Sequence, residues 1–291
     1  MKRKIVVRMR GGLGNQLFII AFSYFVASKM NDEYEIVLDD REYDYYKIRR
    51  FEILDLIKDD DIRLYDSKKD SSLFYEISRK LFHIFQRFIF NYAALSNILK
   101  KCGLYYSRRS GENVSDVKKT CVYLYGYFQD ARVVDQVKDK INKQMNICDT
   151  GYLFNLNYKY IAVSIRCGQD YIDNGWPICS AEYFNKGIQY LVNNKYVNEN
   201  IRILVFADEM EQVRSWDFGR TVEFMDRYSA VEQIQIMMNC DDFVIANSSF
   251  AWWGAYLGCK SHSVVIMPKV WYSLDEKIED TLLLFDHCVV L

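Results

Sequence analysis

Proline is almost missing from this sequence, with Pro177 and Pro268 the only two in 291 residues, and glycine is scarce at 13. A chain so poor in both has little room for long linkers or disordered tracts. Histidine is nearly as rare: His83, His262 and His287 stand apart, without zinc-ligand spacing. The eight cysteines (Cys102, Cys121, Cys148, Cys167, Cys179, Cys240, Cys259, Cys288) form no C-x-x-C pair. The spacing argues against a structural metal, and reduced thiols in a cytosol fit best. An excess of one charge is lacking too, since 38 Lys and Arg face 39 Asp and Glu. Nothing here gives the electrostatic footprint of a nucleic-acid binder, so an anionic ligand has to be met by a local cluster. No apolar run approaches the ~20 residues of a membrane span. The basic start, Met1-Lys2-Arg3-Lys4, leads into a strand carrying Arg8 and Arg10 rather than into a signal-peptide core.

What is present is core. Half of the chain is hydrophobic and 16% aromatic, enough for one large domain or two of ordinary size. Lys4 to Met9 reads as a strand, Arg10-Gly11-Gly12-Leu13-Gly14-Asn15-Gln16 as a glycine-rich turn, Leu17 to Met30 as an apolar helix, and Tyr34 to Leu38 as a second strand. This β-turn-α-β order is that of a Rossmann-like half. The turn has neither the Gly-Lys-Ser/Thr of a Walker loop nor G-x-G-x-x-G spacing, so a tight turn and a ligand loop stay equally open. Residues 41–72 are charged and tyrosine-rich, with mixed elements. Leu73 to Leu99 reads as a long amphipathic helix with basic flanks, for which packing on the protein's own core is favoured over a membrane surface. Tyr123 to Phe128 is a strand and Ala131 to Met145 a helix. A second α/β series follows, with strands over Tyr160–Ile165, Ile201–Phe206, Val222–Phe224, Phe243–Ala246 and Val264–Met267, and helices between them. The division falls in the low-periodicity stretch after Met145, giving domains 1–155 and 156–291.

The stretch from Phe243 to Gly254 organises the second half. A buried strand runs into Asn247-Ser248-Ser249, three good N-cap residues, and then into an apolar helix. Such a turn aims backbone N–H groups and the positive end of a helix dipole at whatever sits above the sheet, which is an anion site. The plain alternative is a capped helix behind a core strand. Arg166 and Asp208 leave two other strands, and parallel strands would bring all three ends to one edge. Arg166 could then hold a pyrophosphate and Asp208 accept from a base or ribose. Alternatively, the two form an ion pair across adjacent strands.

These residues carry a resemblance. Gly11-Gly12-Leu13-Gly14-Asn15-Gln16-Leu17-Phe18 resembles the opening motif of the alpha-1,2-fucosyltransferases of glycosyltransferase family 11. Ser164-Ile165-Arg166-Cys167-Gly168-Gln169-Asp170-Tyr171 resembles that family's H-x-R-R-G-D-Y motif, and Phe206-Ala207-Asp208-Glu209 its F-S-D-D segment. Ala246-Asn247-Ser248-Ser249-Phe250-Ala251-Trp252-Trp253 resembles its A-N-S-S-F-S-W-W, and Gly126-Tyr127-Phe128-Gln129 a further element. The motifs keep their order across nearly the whole chain. The resemblance implies a glycosyltransferase-B-like α/β fold, two Rossmann-like domains with a nucleotide-sugar cleft between them. It implies inverting, metal-independent transfer of L-fucose from GDP-fucose to a galactosyl hydroxyl of a glycan, in alpha-1,2 linkage, with no cofactor. The donor residues it implies are Gly12, Gly14, Asn15, Ser164, Arg166, Asp208, Asn247, Ser248, Ser249 and Phe250.

Arg166 is expected on the leaving diphosphate. The general base is Asp170 or Asp173, with Glu209 a third choice. Tyr127, Tyr171 and Trp176, which follow strand ends, are the acceptor-side aromatics. Three departures from the motif stand out: Ser164 where the family has His, Cys167 where it has a second Arg, and an extra residue spreading the Gly-Asp pair. They leave room for a transferase using another nucleotide sugar, or for a non-catalytic nucleotide-sugar or glycan-binding relative. For Cys167 a small buried hydrophobe is the simpler role. Expected partners are a nucleotide sugar and an oligosaccharide or glycolipid. The expected place is a bacterial cytoplasm, with contact at the inner face of the cell membrane left open.

Overall fold

The computed structural model describes residues 2–30, 33–45, 47–78, 80, 99–107 and 121–291. They form two compact units, Met1–Asn146 and Ile147–Leu291. In the first, strands β1 (Arg3–Arg8), β2 (Tyr34–Asp39), β3 (Ile62–Leu64), β4 (Leu104–Ser107) and β5 (Cys121–Gly126) lie in the order β3-β2-β1-β5-β4. Every pairing is parallel. A parallel strand is covered on both faces, which is why Ile5, Val6 and Val7 of central β1 are all buried without alternation. Helix α1 (Leu13–Ser28) joins β1 to β2 and is buried around its whole circumference from Gln16 to Ala27. It packs on β1 and on helix α4 (Ala131–Gln144), with the short helices α2 (Ile53–Leu56) and α3 (Ser67–Asp70) between them in sequence. In α4 only Ala131, Val133, Val134, Val137 and Ile141 are buried, one stripe at helical spacing.

The second unit holds β6 (Lys159–Ile165), β7 (Ile201–Ala207), β8 (Val222–Phe224), β9 (Asp242–Ile245), β10 (Val265–Met267) and β11 (Cys288–Val290). Their order is β11-β10-β9-β6-β7-β8, again parallel throughout. The chain starts at the centre, steps out to β8, then returns to the other side of β6. This is doubly wound topology, and its switch point lies between β6 and β9. The connecting helices are α5 (Gln169–Asp173), α6 (Ala181–Lys195), α7 (Met210–Arg214), α8 (Ala230–Met237) and α9 (Ser249–Gly258). Phe184, Ile188 and Leu191 of α6 pack with Ile161, Val163, Val205, Val244 and Ile266 of the sheet. Gly187 permits that approach, since a Cβ there would lie 2.6 Å from Val244 Cγ1.

The strands and helices expected from periodicity are present to within a few residues. Three strands were not foreseen: β3, β4 and β11. Each is an edge strand of three or four residues, too short to show a period. The helix expected over Leu73–Leu99, on which the membrane-surface reading rests, falls mainly on residues outside the described ones. Among the described residues no helix is long and apolar enough to cross a membrane.

Trp252 of α9 is fully buried, stacks on Tyr256 with ring centroids 4.7 Å apart, and donates its indole N–H to the Leu283 carbonyl at 2.7 Å. Trp252→Ala should therefore lower stability by about 3–5 kcal/mol. The shift in the urea midpoint followed by far-UV circular dichroism measures it, and a loss below about 1 kcal/mol would contradict this packing.

Candidate active site

Arg166 is the first residue beyond β6 and Asp208 the first beyond β7. The Arg166 side chain, 11% exposed, donates through Nη1 to Asp208 Oδ2. Its Nη2 donates to the Asp170 carboxylate, 2.7 Å from Oδ1. Asp208 is engaged further: the N–H of Cys167 donates to Oδ1 at 3.0 Å and that of Gly168 to Oδ2 at 2.9 Å. The ion pair across adjacent strands, one of the two readings of these residues, is thus what forms, and Asp208 also anchors the backbone that carries Arg166. A Cβ at position 168 would stand 2.3 Å from Asp208 Oδ2 and 2.9 Å from Asp170 Oδ1, so any larger residue there would displace these carboxylates.

Below the guanidinium lies the ring of Tyr171, its centroid 4.6 Å from the Arg166 Cζ. Tyr171, expected as an exposed acceptor-side aromatic, is instead buried, because α5 folds back and its hydroxyl donates to the Asn247 carbonyl at 2.7 Å. Trp176 is exposed and meets Tyr171 edge-on at 4.9 Å. Asp173 is exposed and accepts from Gln169 at 2.8 Å. Glu209 is exposed beside Asp208.

The turn after β9 separates scaffold from open groups. Asn247 is 3% exposed and its Nδ2 donates to the carbonyls of Pro177 and Trp271, each at 2.9 Å. Ser248 holds the N-cap position of α9, yet its side chain makes no capping hydrogen bond, and the first turn contains no acidic residue. By contrast α4, α6 and α8 are capped by Asp130, Ser180 and Ser229. The capping role expected of Asn247 to Ser249 is therefore not taken up, which leaves the dipole end of α9 without a side-chain oxygen. Ser249 and Phe250 are half-buried in its first turn. Ser164, on β6, is buried.

In the first unit the glycine-rich turn sits at the corresponding switch point, between β1 and β5. Gly11 has φ +74°, and a Cβ there would crowd Asn15 and Tyr127. Gly12 is the N-cap of α1, again with no side-chain cap, and Gly14 is buried in the first turn. Gln129 donates to Asn15 Oδ1 at 2.7 Å, and the Arg10 guanidinium lies 5.0 Å from the Tyr127 ring centroid. Phe128 has φ 51° and stacks on Phe22 at 4.0 Å. A left-handed aromatic at a strand end is the kind of strained position that marks functional loops. Gln16 is wholly structural, donating to the Gly11 and Arg50 carbonyls and accepting from the N–H groups of Glu52 and Ile53.

Sequence reasoning missed Tyr43, whose hydroxyl fixes the Gly11 carbonyl at 2.7 Å, and Tyr183, which donates to the Ile245 carbonyl at 2.8 Å. Tyr43 lies in a stretch with no periodicity to single it out. Tyr183 lies in a helix whose facing strand the sequence does not name. Among the described residues no group of three His, Cys, Asp or Glu side chains is placed to hold a metal.

The sequence profile of glycosyl transferase family 11 matches residues 4–283. The chain belongs to glycosyltransferase family 11. It is similar to the O-antigen biosynthesis glycosyltransferase WbnK of Escherichia coli, 27% identical over 304 residues, covering 94% of this chain and 97% of that protein. An alpha-1,2-colitosyltransferase of Escherichia coli is likewise 27% identical, over 292 residues, with 94% and 93% covered. Among solved structures, the fucosyltransferase NodZ from Bradyrhizobium superposes with a TM-score of 0.57 at 12% identity, over 88% of this chain and 94% of its own. NodZ has also been co-crystallised with GDP. The fold is glycosyltransferase-B-like, and the protein is a glycosyltransferase.

Against the family motif, position 167 is a core position here. The Cys167 side chain packs with the sheet residues, and burial followed by the Asp208 charge pushes its thiol up to about 11. It is neutral at pH 7 and adds no charge to the site. Burial likewise pushes Cys179 up to about 11 and Tyr171 up to about 12. In each case the folded state favours the protonated form over the unfolded chain, where cysteine titrates near about 8.5 and tyrosine near about 10. Their contribution is therefore full below those values and lost as pH rises through 11 to 12. The urea midpoint should be clearly lower at about pH 11 than at about pH 8, and equal midpoints would contradict burial of these groups.

Proposed function

We propose that this family 11 glycosyltransferase moves L-fucose from GDP-fucose to a galactosyl hydroxyl of a surface oligosaccharide, in alpha-1,2 linkage, with inversion and without a metal. The observation that carries the reading is Arg166 at the β6–β9 switch point, on the strand next to the uncapped N-terminus of α9. In a doubly wound sheet that position takes a nucleotide diphosphate. The GDP complex of NodZ and the O-antigen role of WbnK support donor and acceptor class respectively.

The step is a direct displacement. The acceptor hydroxyl oxygen forms a bond to the anomeric carbon as the bond from that carbon to the β-phosphate oxygen breaks. The hydroxyl proton goes to a carboxylate, Asp170 or Asp173, and GDP leaves with the electron pair. Arg166 and the N–H groups of Ser248, Ser249 and Phe250 take up the charge that builds on the departing diphosphate. Asp208, Asn247 and Tyr171 hold that arrangement in place through the bonds described above. In the second unit Trp176 is assigned to an acceptor contact; in the first unit, taken by itself, Gly12, Gly14, Asn15 and Tyr127 are assigned to ligand contacts. Ser164 lies beneath the donor.

A second reading concerns the donor. The colitosyltransferase relative, together with Ser164 and Cys167 in place of the motif's His and Arg, favours testing a colitose donor alongside GDP-fucose.

The test is GDP release from each donor with galactose-terminated acceptors, in the presence of chelator. Acceptor-dependent release from GDP-fucose is expected. Release from a colitose donor alone would transfer the assignment to the second reading, and release abolished by chelator would end metal independence. Arg166→Ala should lower turnover at least ~100-fold with the fold intact. A near-normal rate would remove Arg166 from the leaving group.

A further inference from the structure

Four large apolar side chains of the second unit stand exposed near its strand ends: Ile172, Trp176, Ile178 and Leu274, at 55%, 45%, 41% and 76%. They lie on two loops, and the fold holds those loops together. Asn247 Nδ2 donates to the carbonyls of Pro177 and Trp271, so one buried amide pins both loops to the turn that opens α9. The first loop is also bonded from within. The N–H of Trp176 donates to the Tyr171 carbonyl at 2.9 Å, and that of Gly175 to the Ile172 carbonyl at 3.0 Å. Tyr171 and Pro177 of this loop are buried, while residues 172–176 are all exposed. Hydrogen-bonded backbone thus keeps an apolar rim in water, an arrangement with a cost unless something apolar covers it. The rim adjoins the candidate site, since the Tyr171 ring centroid lies 4.6 Å from the Arg166 Cζ and 4.9 Å from the Trp176 ring.

We infer that this rim binds the apolar chain of an acceptor whose sugar is joined to an alkyl or prenyl group, and so selects a glycolipid over a free oligosaccharide. The inference rests on the reading that the acceptor hydroxyl attacks beside Arg166, and it names the class of acceptor. A sugar presents hydroxyls, which Ile172, Ile178 and Leu274 cannot hydrogen-bond. An aliphatic chain leaves water against the same side chains with no polar group stranded. Trp176 suits the junction of the two, with an apolar ring and one polar N–H. The charge on these loops argues against a bilayer as the occupant. Asp173 and Asp275 are exposed beside the apolar residues, and no lysine or arginine occurs over 167–185 or 270–276. A segment that docks on an anionic membrane surface carries the opposite charge. The chain of a single substrate has no such requirement.

The experiment compares methyl and octyl β-galactoside as acceptors for the full chain, with GDP-fucose saturating and the octyl glycoside below its micelle concentration. GDP release is the readout. The octyl glycoside should have a KM about tenfold lower at similar kcat, a ratio that needs only about two methylenes to leave water. The double variant Ile172→Ser with Leu274→Ser should raise the KM for octyl galactoside toward that for methyl galactoside. It should leave kcat and KM for the methyl glycoside at the parent values. Both positions are exposed, so circular dichroism and the urea midpoint should also match the parent. Equal KM for the two glycosides in the parent overturns the inference and leaves the transfer reading standing. An octyl advantage undiminished in the variant overturns it too, as does a variant that loses both acceptors alike. Retention of the parent but not the variant on phosphatidylglycerol vesicles, with no octyl advantage, would give the rim to a membrane instead. No release with either glycoside ends the reading of a galactosyl acceptor, and the inference with it.

Discussion

The Asp208 carboxylate is the constraint on which the site depends. It stands at the end of β7 and gathers the Arg166 guanidinium and the N–H groups of Cys167 and Gly168 from the neighbouring strand end. Without it the loop would have two amides to satisfy, and Arg166 would keep only Asp170 and the Tyr171 ring. Gly168 is what lets the backbone come so close. One carboxylate serves three donors, and charge-assisted bonds of this kind are the stronger ones.

Around that anchor the second unit sorts its polar groups by depth. Asn247 and Tyr171, both named by sequence as ligand contacts, spend their polar atoms on neighbouring backbone: Asn247 on Pro177 and Trp271, Tyr171 on Asn247 itself. Buried polar groups have to be paired, and these are. The groups left toward the strand ends are the first turn of α9 and the outer edge of Arg166. Helix α9 lacks the side-chain cap found on α4, α6 and α8 and, unlike the equally uncapped α5 and α7, has no acidic residue in its first turn, which gives physical content to the choice between anion site and ordinary capped helix.

The first unit repeats the logic with different parts. Its switch point also carries a helix without a side-chain cap, and the Gly11 carbonyl of its turn is held by Gln16 and Tyr43, with Glu42 on Arg8 and Arg10 beside it. Arg10 lies against Tyr125 and Tyr127, and Arg8 against Tyr125, so aromatic faces and arginines share this edge. The difference between the two edges follows from which residues end the strands.

By itself the sequence determined the α/β rhythm, the long interior strands, the placement of the motifs on strand ends, and the family. It did so because interior parallel strands need continuous apolar runs and helices a 3.6-residue stripe, both of which survive as local patterns. The turns Gly11–Asn15, Arg166–Asp170 and Asn247–Phe250 were legible for the same reason: each follows such a run directly. Tertiary structure alone decided the edge strands β3, β4 and β11, whose three or four residues carry no period. It alone decided that Cys167 faces the core, that Tyr171 is buried, that Ser248 leaves α9 uncapped, and that Arg166 stands between two carboxylates. Those outcomes depend on which strand lies beside which, and strand order is a property of pairings between residues far apart in the chain. Asp208 lies 42 residues beyond Arg166, and only the parallel register of β6 with β7 brings the two together.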